Sequence, residues 1–391
     1  MHIQRLELTN FRNYDELKFE IPPGISVFQG ANAQGKTNLL EAICFVATAR
    51  LSRSVPDKEL ITWNALQEKL PFARISADVH RNERDVQLEI ILRPRSVHFE
   101  DNAISVPIQK HIRVNGIARR AFDLVGQLNM VMFSPRDIDL ISGEPALRRR
   151  HLDITNSQVD PQYLRNLQRY NKVLGQRNHL LRQIAAGNAH LDELAFWDEE
   201  LVKLGTYIVF QRNETISKVS DLSNPIHDQL SGGKETLSLR YQPNIAPETA
   251  KFETIDDVEQ TFNRALTAAR EKELARGQSL VGPHRDELRF LANEKDMGTY
   301  GSRGQQRTIA LSIKLAEVSF MLAQTGQMPV LLLDDVLSEL DSQRRQHLLD
   351  AIGEYQQVLV TATDPDRFPP YFLSQAARFT VENGTIKSDD S

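Results

Sequence analysis

Only one cysteine, Cys44, occurs in 391 residues, so no internal disulfide can form and a reducing, cytoplasmic setting is expected. Cys44 sits in the apolar run "LLEAICFVATA", where a small buried hydrophobe is the simplest reading. No apolar stretch is long enough to span a bilayer without charges, so no membrane association is expected. The opening "MHIQRLELTN" is interrupted by charge and is not expected to act as a signal peptide. An overall basic surface is also missing, because the net charge is −5. Any polyanion must therefore meet a local patch. Glu144 to Arg182 holds such a patch, with eight Lys or Arg against three Asp or Glu. Only Tyr163 and Tyr170 fall among these cations, and stacking on single strands is not indicated. No helix-turn-helix or zinc spacing is present, which leaves no element for reading bases.

The composition that remains is that of an ordinary soluble protein, 40% apolar and 25% charged. The first third reads as strands: "QRLELTN", "LKFEI", "GISVFQG", "ARISADVH", "RDVQLEIIL", "KHIRVNG" and "LNMVMF". From Pro161 to about Ser220 the period turns helical. Leu167, Leu174 and Leu181 recur every seven residues, as do Leu194, Leu201 and Ile208, and "AAGNAH" breaks both series. This predicts an antiparallel helical hairpin of short coiled-coil type. Its first helix would have about 24 residues and a length of about 36 Å. Another helix is expected from about Ile255 to Ala275, closed by Gly277. The last third returns to α/β, with the buried strands "PVLLLDDV" and "QVLVTAT". The expected organisation is residues 1–135 as the first part of an α/β lobe, 136–295 as an inserted, mostly helical lobe, and 296–391 as a long helix with the second part of the α/β lobe.

"GANAQGKT" fits the phosphate-loop pattern at every fixed position, between the strand "ISVF" and a helix. Gly30, Ala31, Asn32, Ala33, Gln34 and Gly35 would turn backbone N–H groups onto phosphates. Lys36 would reach the β- and γ-phosphates of ATP, and the Thr37 hydroxyl would bind Mg²⁺. "VLLLDD" delivers Asp334 and Asp335 at a strand end, where ligands bind in such sheets. Asp334 is the expected Mg²⁺ partner and Asp335 the residue that orients attacking water. The large separation of Lys36 from Asp334 in the chain requires an insertion between the halves of the site.

Two Ser-Gly stretches compete for the signature that faces a partner's nucleotide in ABC-type ATPases. "LSGGK", Leu230 to Lys234, is the better string match, but a strand-like segment follows it. "SRGQ" opens a long amphipathic helix that leads into "PVLLLDD", and a helix start is what a phosphate needs. Ser302, Arg303, Gly304 and Gln305 are therefore the expected trans half of the site, and "LSGGK" a turn.

These segments resemble the RecF family of bacterial DNA repair, relatives of the Rad50 and SMC heads. The resemblance rests on "NFRNY", "GANAQGKTNLLEAI", "SPRDIDLISGEPALRRRHLD", "SLVGPHRDEL", "YGSRGQQRT" and "LLLDDVLSELD", in that order along nearly the whole chain. It implies a P-loop ABC-ATPase head with an inserted second lobe. It also implies ATP-dependent homodimers on double-stranded DNA beside single-stranded gaps, acting with RecR and RecO to help RecA load, in recombinational repair, replication and the SOS response. Ser338, Glu339, Leu340 and Asp341 match a loop that crosses the dimer interface, and Arg12 a Rad50-type arginine near the nucleotide. Arg136 and the "ATARLSRS" segment, with Arg50 and Arg53, depart from the family pattern. Asp335, one carbon shorter than the glutamate usual in transporters, suits weak, DNA-stimulated hydrolysis used as a switch. A switch histidine is missing after the last core strand, where Thr361 and Thr363 stand instead.

Arg148, Arg149 and Arg150, with Arg165, Arg169 and Lys172, are the expected DNA-phosphate contacts, weighed evenly against a salt-bridged or solvated face. His284 reads as a structural turn residue rather than a base. The alternative class is the nucleotide-binding subunit of an ABC transporter, which the large insertion and the missing histidine disfavour. An SMC-type mechanical protein would need far longer arms, and a small-molecule kinase would not need the Ser302 segment.

Overall fold

The structure is a computed structural model. It describes residues 1–51, 55–68, 70–82, 84–95, 107–247, 252–353, 355–364 and 368–389. Arg53 lies outside the described residues. Two compact units emerge, Met1–Arg136 with Met321–Ser391, and Asp137–Phe320. The second boundary falls inside the Arg303–Thr325 helix, so the helix start expected in the ATPase part belongs to the second unit.

In the first unit the strands are β1 (His2–Phe11), β2 (Tyr14–Glu20), β3 (Gly24–Gln29), β4 (Ala73–Arg81), β5 (Arg84–Pro94), β6 (Ile108–Val114), β7 (Ile117–Arg119) and β8 (Met130–Phe133). One sheet is antiparallel, in the order β2-β1-β4-β5-β6-β7. Its alternation follows from one buried face: Ile75, Ala77 and Val79 of β4 are buried with Leu88, Ile90 and Leu92 of β5. Asn115 and Gly116 both take positive φ, as the two-residue hairpin between β6 and β7 requires.

The inserted unit contains β9 (Leu237–Gln242), β10 (Glu287–Ala292) and β11 (Lys295–Asp296), and after it come β12 (Val330–Asp334), β13 (Gln357–Ala362), β14 (Ala376–Glu382) and β15 (Thr385–Ser388). The other sheet of the first unit runs β15-β14-β3-β13-β12-β8 and is parallel except for β15. Its inner strands β12 and β13 are buried throughout, which explains their unbroken apolar runs. The Lys36–Thr48 helix shares the core between these sheets, and Cys44 is buried within it.

The second unit is built on helices Pro145–Val159, Pro161–Ala185, Leu194–Ser231 and Ile255–Arg276, with a small sheet β11-β10-β9. The expected hairpin is present, and Gly277 caps the last of these helices in a left-handed conformation. Its second helix, however, continues past Ser220 to Ser231 with Pro225 inside it. The buried stripe explains the continuation: Val219, Ser223, His227 and Leu230 keep helical spacing, and their packing outweighs one missing N–H.

Candidate functional site: a phosphate loop and an exposed helix start

Parallel strands place both halves of the first constellation at one sheet end. The loop leaves β3, and Asp334 ends β12, with β13 between those two strands. Thr37 Oγ1 donates to Asp334 Oδ1 at 2.9 Å, and Thr361 Oγ1 donates to the same oxygen at 2.9 Å. Burial pushes the Asp334 carboxyl up, and the two hydroxyls hold the shift back. Lys36 Nζ folds over the loop, donating to Gly30 O at 2.6 Å and Ala31 O at 2.7 Å. Desolvation pushes its ammonium down, against the pull of Asp335 and Asp334.

The loop backbone is braced from two sides. Gly35 has φ 116°, and a Cβ there would lie 2.6 Å from Asn13 Nδ2. At Gly30 a Cβ would lie 2.4 Å from Val381 O. Ala33 adopts positive φ. Asn13 Nδ2 donates to Gln34 O at 3.0 Å, and Tyr14 Oη donates to Gly35 O at 3.0 Å. Asn32 Oδ1 accepts from Thr363 Oγ1 at 3.2 Å. Arg12, in a left-handed turn between β1 and β2, donates through Nε to Glu41 Oε2 at 3.1 Å and forms an ion pair with it, Nη2 lying 2.9 Å from the same oxygen. Asn13, Tyr14 and Glu41 were not singled out from the sequence, and Thr361 was noted only for standing where a switch histidine would be. The signal for Glu41 was available: it is a lone carboxylate in the apolar run of a buried helix.

Asp335 lies beyond the strand end with φ 49°, and its N–H donates to Thr361 Oγ1 at 3.0 Å. Ser338 and Glu339 lie in the single turn Val336–Glu339, where Ser338 Oγ donates to Asp335 O at 2.7 Å. Asp341 caps the Ser342–Ile352 helix by accepting from Arg344 N.

In the second unit, Ser302 and Gln305 form a reciprocal capping box. Ser302 N donates to Gln305 Oε1 at 2.9 Å, and Gln305 N donates to Ser302 Oγ at 3.3 Å. Ser302 and Arg303 are exposed, so the start of a 23-residue helix faces outward. Gly304 has an ordinary backbone, and a Cβ there would meet only Ser302 Oγ, at 4.0 Å. Nothing in the chain itself asks for glycine at this position, although alanine would favour the helix. "LSGGK" ends the Leu194–Ser231 helix instead: Gly232 and Gly233 are left-handed and Gly233 N donates to Asp228 O at 2.8 Å.

The basic residues separate into two groups. Arg148 is buried and makes a two-pronged contact with Glu287, at 2.7 and 2.8 Å. Arg149 donates to Asp286 O at 2.8 Å, and Arg150 is half-buried. The charge of Arg148 is thus balanced by Glu287. Arg165, Arg169 and Lys172 are exposed on one helix face, where Arg169 meets Glu200 at 2.9 Å. His284 bridges Tyr170 Oη at 2.7 Å and Ser279 O at 3.3 Å, and burial pushes it down to about 4. It is a neutral packing group inside the unit.

A sequence profile described as the RecF/RecN/SMC N terminal domain matches residues 2–386. The DNA replication and repair protein RecF of Chloroflexus aurantiacus is 45% identical over 393 residues, covering 99% of each chain. The chain belongs to the RecF family. A second relative of the same description, from Halalkalibacterium halodurans, is 42% identical over 389 residues, again covering 99% of each chain. A solved structure described as the recombination mediator protein RecF-ATPrS in the RecFOR pathway has a TM-score of 0.86 at 29% identity, covering 99% of this chain and 98% of that one. An Smc head bound to the C-winged helix domain of ScpA has a TM-score of 0.51 at 17% identity, a likeness of fold. The fold is that of an α/β P-loop ABC-ATPase head with an inserted helical part. Among the described residues no helix is long and apolar enough to cross a membrane.

Proposed function

We propose that the chain is an ATP-driven, sequence-independent DNA clamp of recombinational repair in the cytoplasm, which dimerises on duplex beside single-stranded gaps. The observation that carries this reading is the pairing of Thr37 with Asp334 in one unit, with an outward helix start at Ser302 in the other. Gly30 to Thr37 would hold the ATP phosphates. Ser302, Arg303, Gly304 and Gln305 would face the γ-phosphate held by a second copy. The spare room at Gly304 supports this, since a closely approaching partner would need it.

The Thr37 hydroxyl and Asp334 carboxylate are hard oxygen donors already 2.9 Å apart, a pair that fits Mg²⁺. Bound there, Mg²⁺ would neutralise charge developing between the β- and γ-phosphates. Lys36 would swap its two carbonyl acceptors for phosphate oxygens, and Asp335 would orient water. Ser338, Glu339 and Asp341 would line the dimer interface, and Arg12, fixed by Glu41, would sit near the nucleotide. Slow hydrolysis would serve release, and RecR, RecO and RecA are the partners that this role implies, in replication and the SOS response. Light scattering during gel filtration tests the reading: ATP should convert monomer to dimer, and a monomer at every ATP concentration would sink it.

Lys36→Ala should weaken ATP binding about 10- to 100-fold, the worth of a hydrogen bond to a charged group. It should hardly lower the melting temperature, because the burial that pushes the Lys36 ammonium down offsets much of what its bonds to Gly30 O and Ala31 O contribute. Titration with a fluorescent ATP analogue reads the first effect and a melt the second.

For DNA, the exposed row Arg165, Arg169 and Lys172 is the proposed phosphate contact. Changing all three to Ala should lower the slope of log affinity against log salt by about 2 to 3, at about 0.9 for each phosphate that is no longer neutralised. Anisotropy with gapped duplex measures it, and an unchanged slope would remove these residues from the interface.

A further inference from the structure

Behind the capping box, Gln305 is tied to a loop that its own helix does not supply. Its Nε2 donates to Glu235 Oε1 at 2.6 Å. The other carboxylate oxygen of Glu235 lies 3.0 Å from His227 Nε2. His227 is wholly buried, and its Nδ1 lies 3.1 Å from Ser312 Oγ, two turns further along the Arg303–Thr325 helix. Ser312 Oγ also lies 2.8 Å from Thr308 O. A carboxylate only accepts, so His227 donates to Glu235 through Nε2.

The chain built this bridge from the "LSGGK" turn. Left-handed Gly232 and Gly233 stop the helix that carries His227 and bring Glu235 back toward it within eight residues. Glu235 is not exposed like its neighbours Lys234 and Thr236. A single carboxylate thus joins the end of one helix to the first turn of another. Gln305 Oε1 is occupied by Ser302 N and its Nε2 by Glu235, which leaves the side chain one orientation.

We infer that Glu235, anchored by His227, is a positioning residue that presets Ser302 to Gln305 for a nucleotide phosphate held by a second copy of this chain. The inference rests on the reading of that stretch as the trans half of the site. Glu235 touches no phosphate. It fixes Gln305, and Gln305 fixes the backbone N–H of Ser302 and the hydroxyl of Ser302 that caps the helix. Without it, the first turn must be ordered when the partner docks, and that cost falls on dimerisation and hydrolysis rather than on ATP binding by the monomer.

Glu235→Ala should lower ATP hydrolysis at a fixed protein concentration about tenfold, the usual worth of a hydrogen bond to a charged group. Binding of a fluorescent ATP analogue by the dilute monomer should stay within about twofold of wild type by the same reasoning. Glu235→Gln keeps the acceptor for Gln305 and should recover part of the loss; it also serves if the alanine variant melts early. The deciding measurement mixes Glu235→Ala with Lys36→Ala. Each is weak alone, but a mixed dimer holds one site with an intact phosphate loop facing an intact signature. Hydrolysis should therefore return on mixing. No return would mean that Glu235 acts within its own chain, and the inference falls. Hydrolysis unchanged in Glu235→Ala, with Ser302→Arg still monomeric, would overturn the inference alone. If Ser302→Arg also dimerises normally, the trans reading falls and takes the inference with it.

Discussion

Ser302→Arg is expected to stay monomeric at every ATP concentration while binding ATP as wild type does. Ser302 is exposed, so the fold has room for the larger side chain. The local cost is the helix cap: Gln305 N would lose its bond to Ser302 Oγ, worth about 1 kcal/mol. A melt should therefore shift only slightly. The cost to a dimer is far larger, because an arginine would fill the space a partner's phosphates must enter. The phosphate loop, Thr37 and Asp334 belong to the other unit and are unchanged. Gel filtration with light scattering, run beside an ATP-binding titration, separates the two effects. A dimer of ordinary strength would show that Ser302 does not face a nucleotide.

Arg212→Ala is expected to destabilise the second unit by about 3 to 5 kcal/mol, the usual result of stripping a buried charge of its partner. Arg212 is 2% exposed and donates to four groups: Tyr163 Oη at 3.0 Å, Pro283 O at 2.7 Å, Asp286 Oδ2 at 2.9 Å and Asp153 Oδ1 at 2.8 Å. It joins two helices, the turn before β10 and, through Asp286, Tyr241 of β9. Burial already pushes the Asp286 carboxyl up, and Arg212 is the main opposing influence. Without the arginine, Asp286 is favoured in its neutral form when folded, so its folded value rises further above the unfolded one. The deficit should then be smallest in acid, below the unfolded value, and complete once the pH passes the folded value. Urea unfolding near neutral pH and in mild acid tests both magnitude and sign. Arg212→Met should not rescue stability, since it leaves the same carboxylates buried. Adding Asp286→Asn to it should recover part of the loss.

Much of the site was legible because local rules specify it. "GANAQGKT" between a strand and a helix leaves the backbone little choice, and "VLLLDD" must be a buried strand that surfaces at its acids. That "SRGQ" opens a long helix and that "LSGGK" does not also followed from local physics. The Arg148 triplet was not legible. A run of three cations looks the same in sequence whether it faces solvent or Glu287, and Glu287 lies 139 residues away. The helix through Pro225 failed for the same reason: local propensity argues for a stop, and only packing of His227 and Leu230 overrides it.

The sequence alone therefore determined the buried core strands, the phosphate loop, the acidic strand end, the helical hairpin and the helix that begins at Ser302. Each is set by hydrophobic period or by glycine chemistry within a few neighbours. Tertiary structure alone decided which polar groups meet: Thr361 on Asp334, Tyr14 on Gly35, Glu41 on Arg12, and Glu235 between His227 and Gln305. Hydrogen bonds and ion pairs act over about 3 Å, whatever the separation along the chain. They become definite only when the packed core has fixed where each backbone lies.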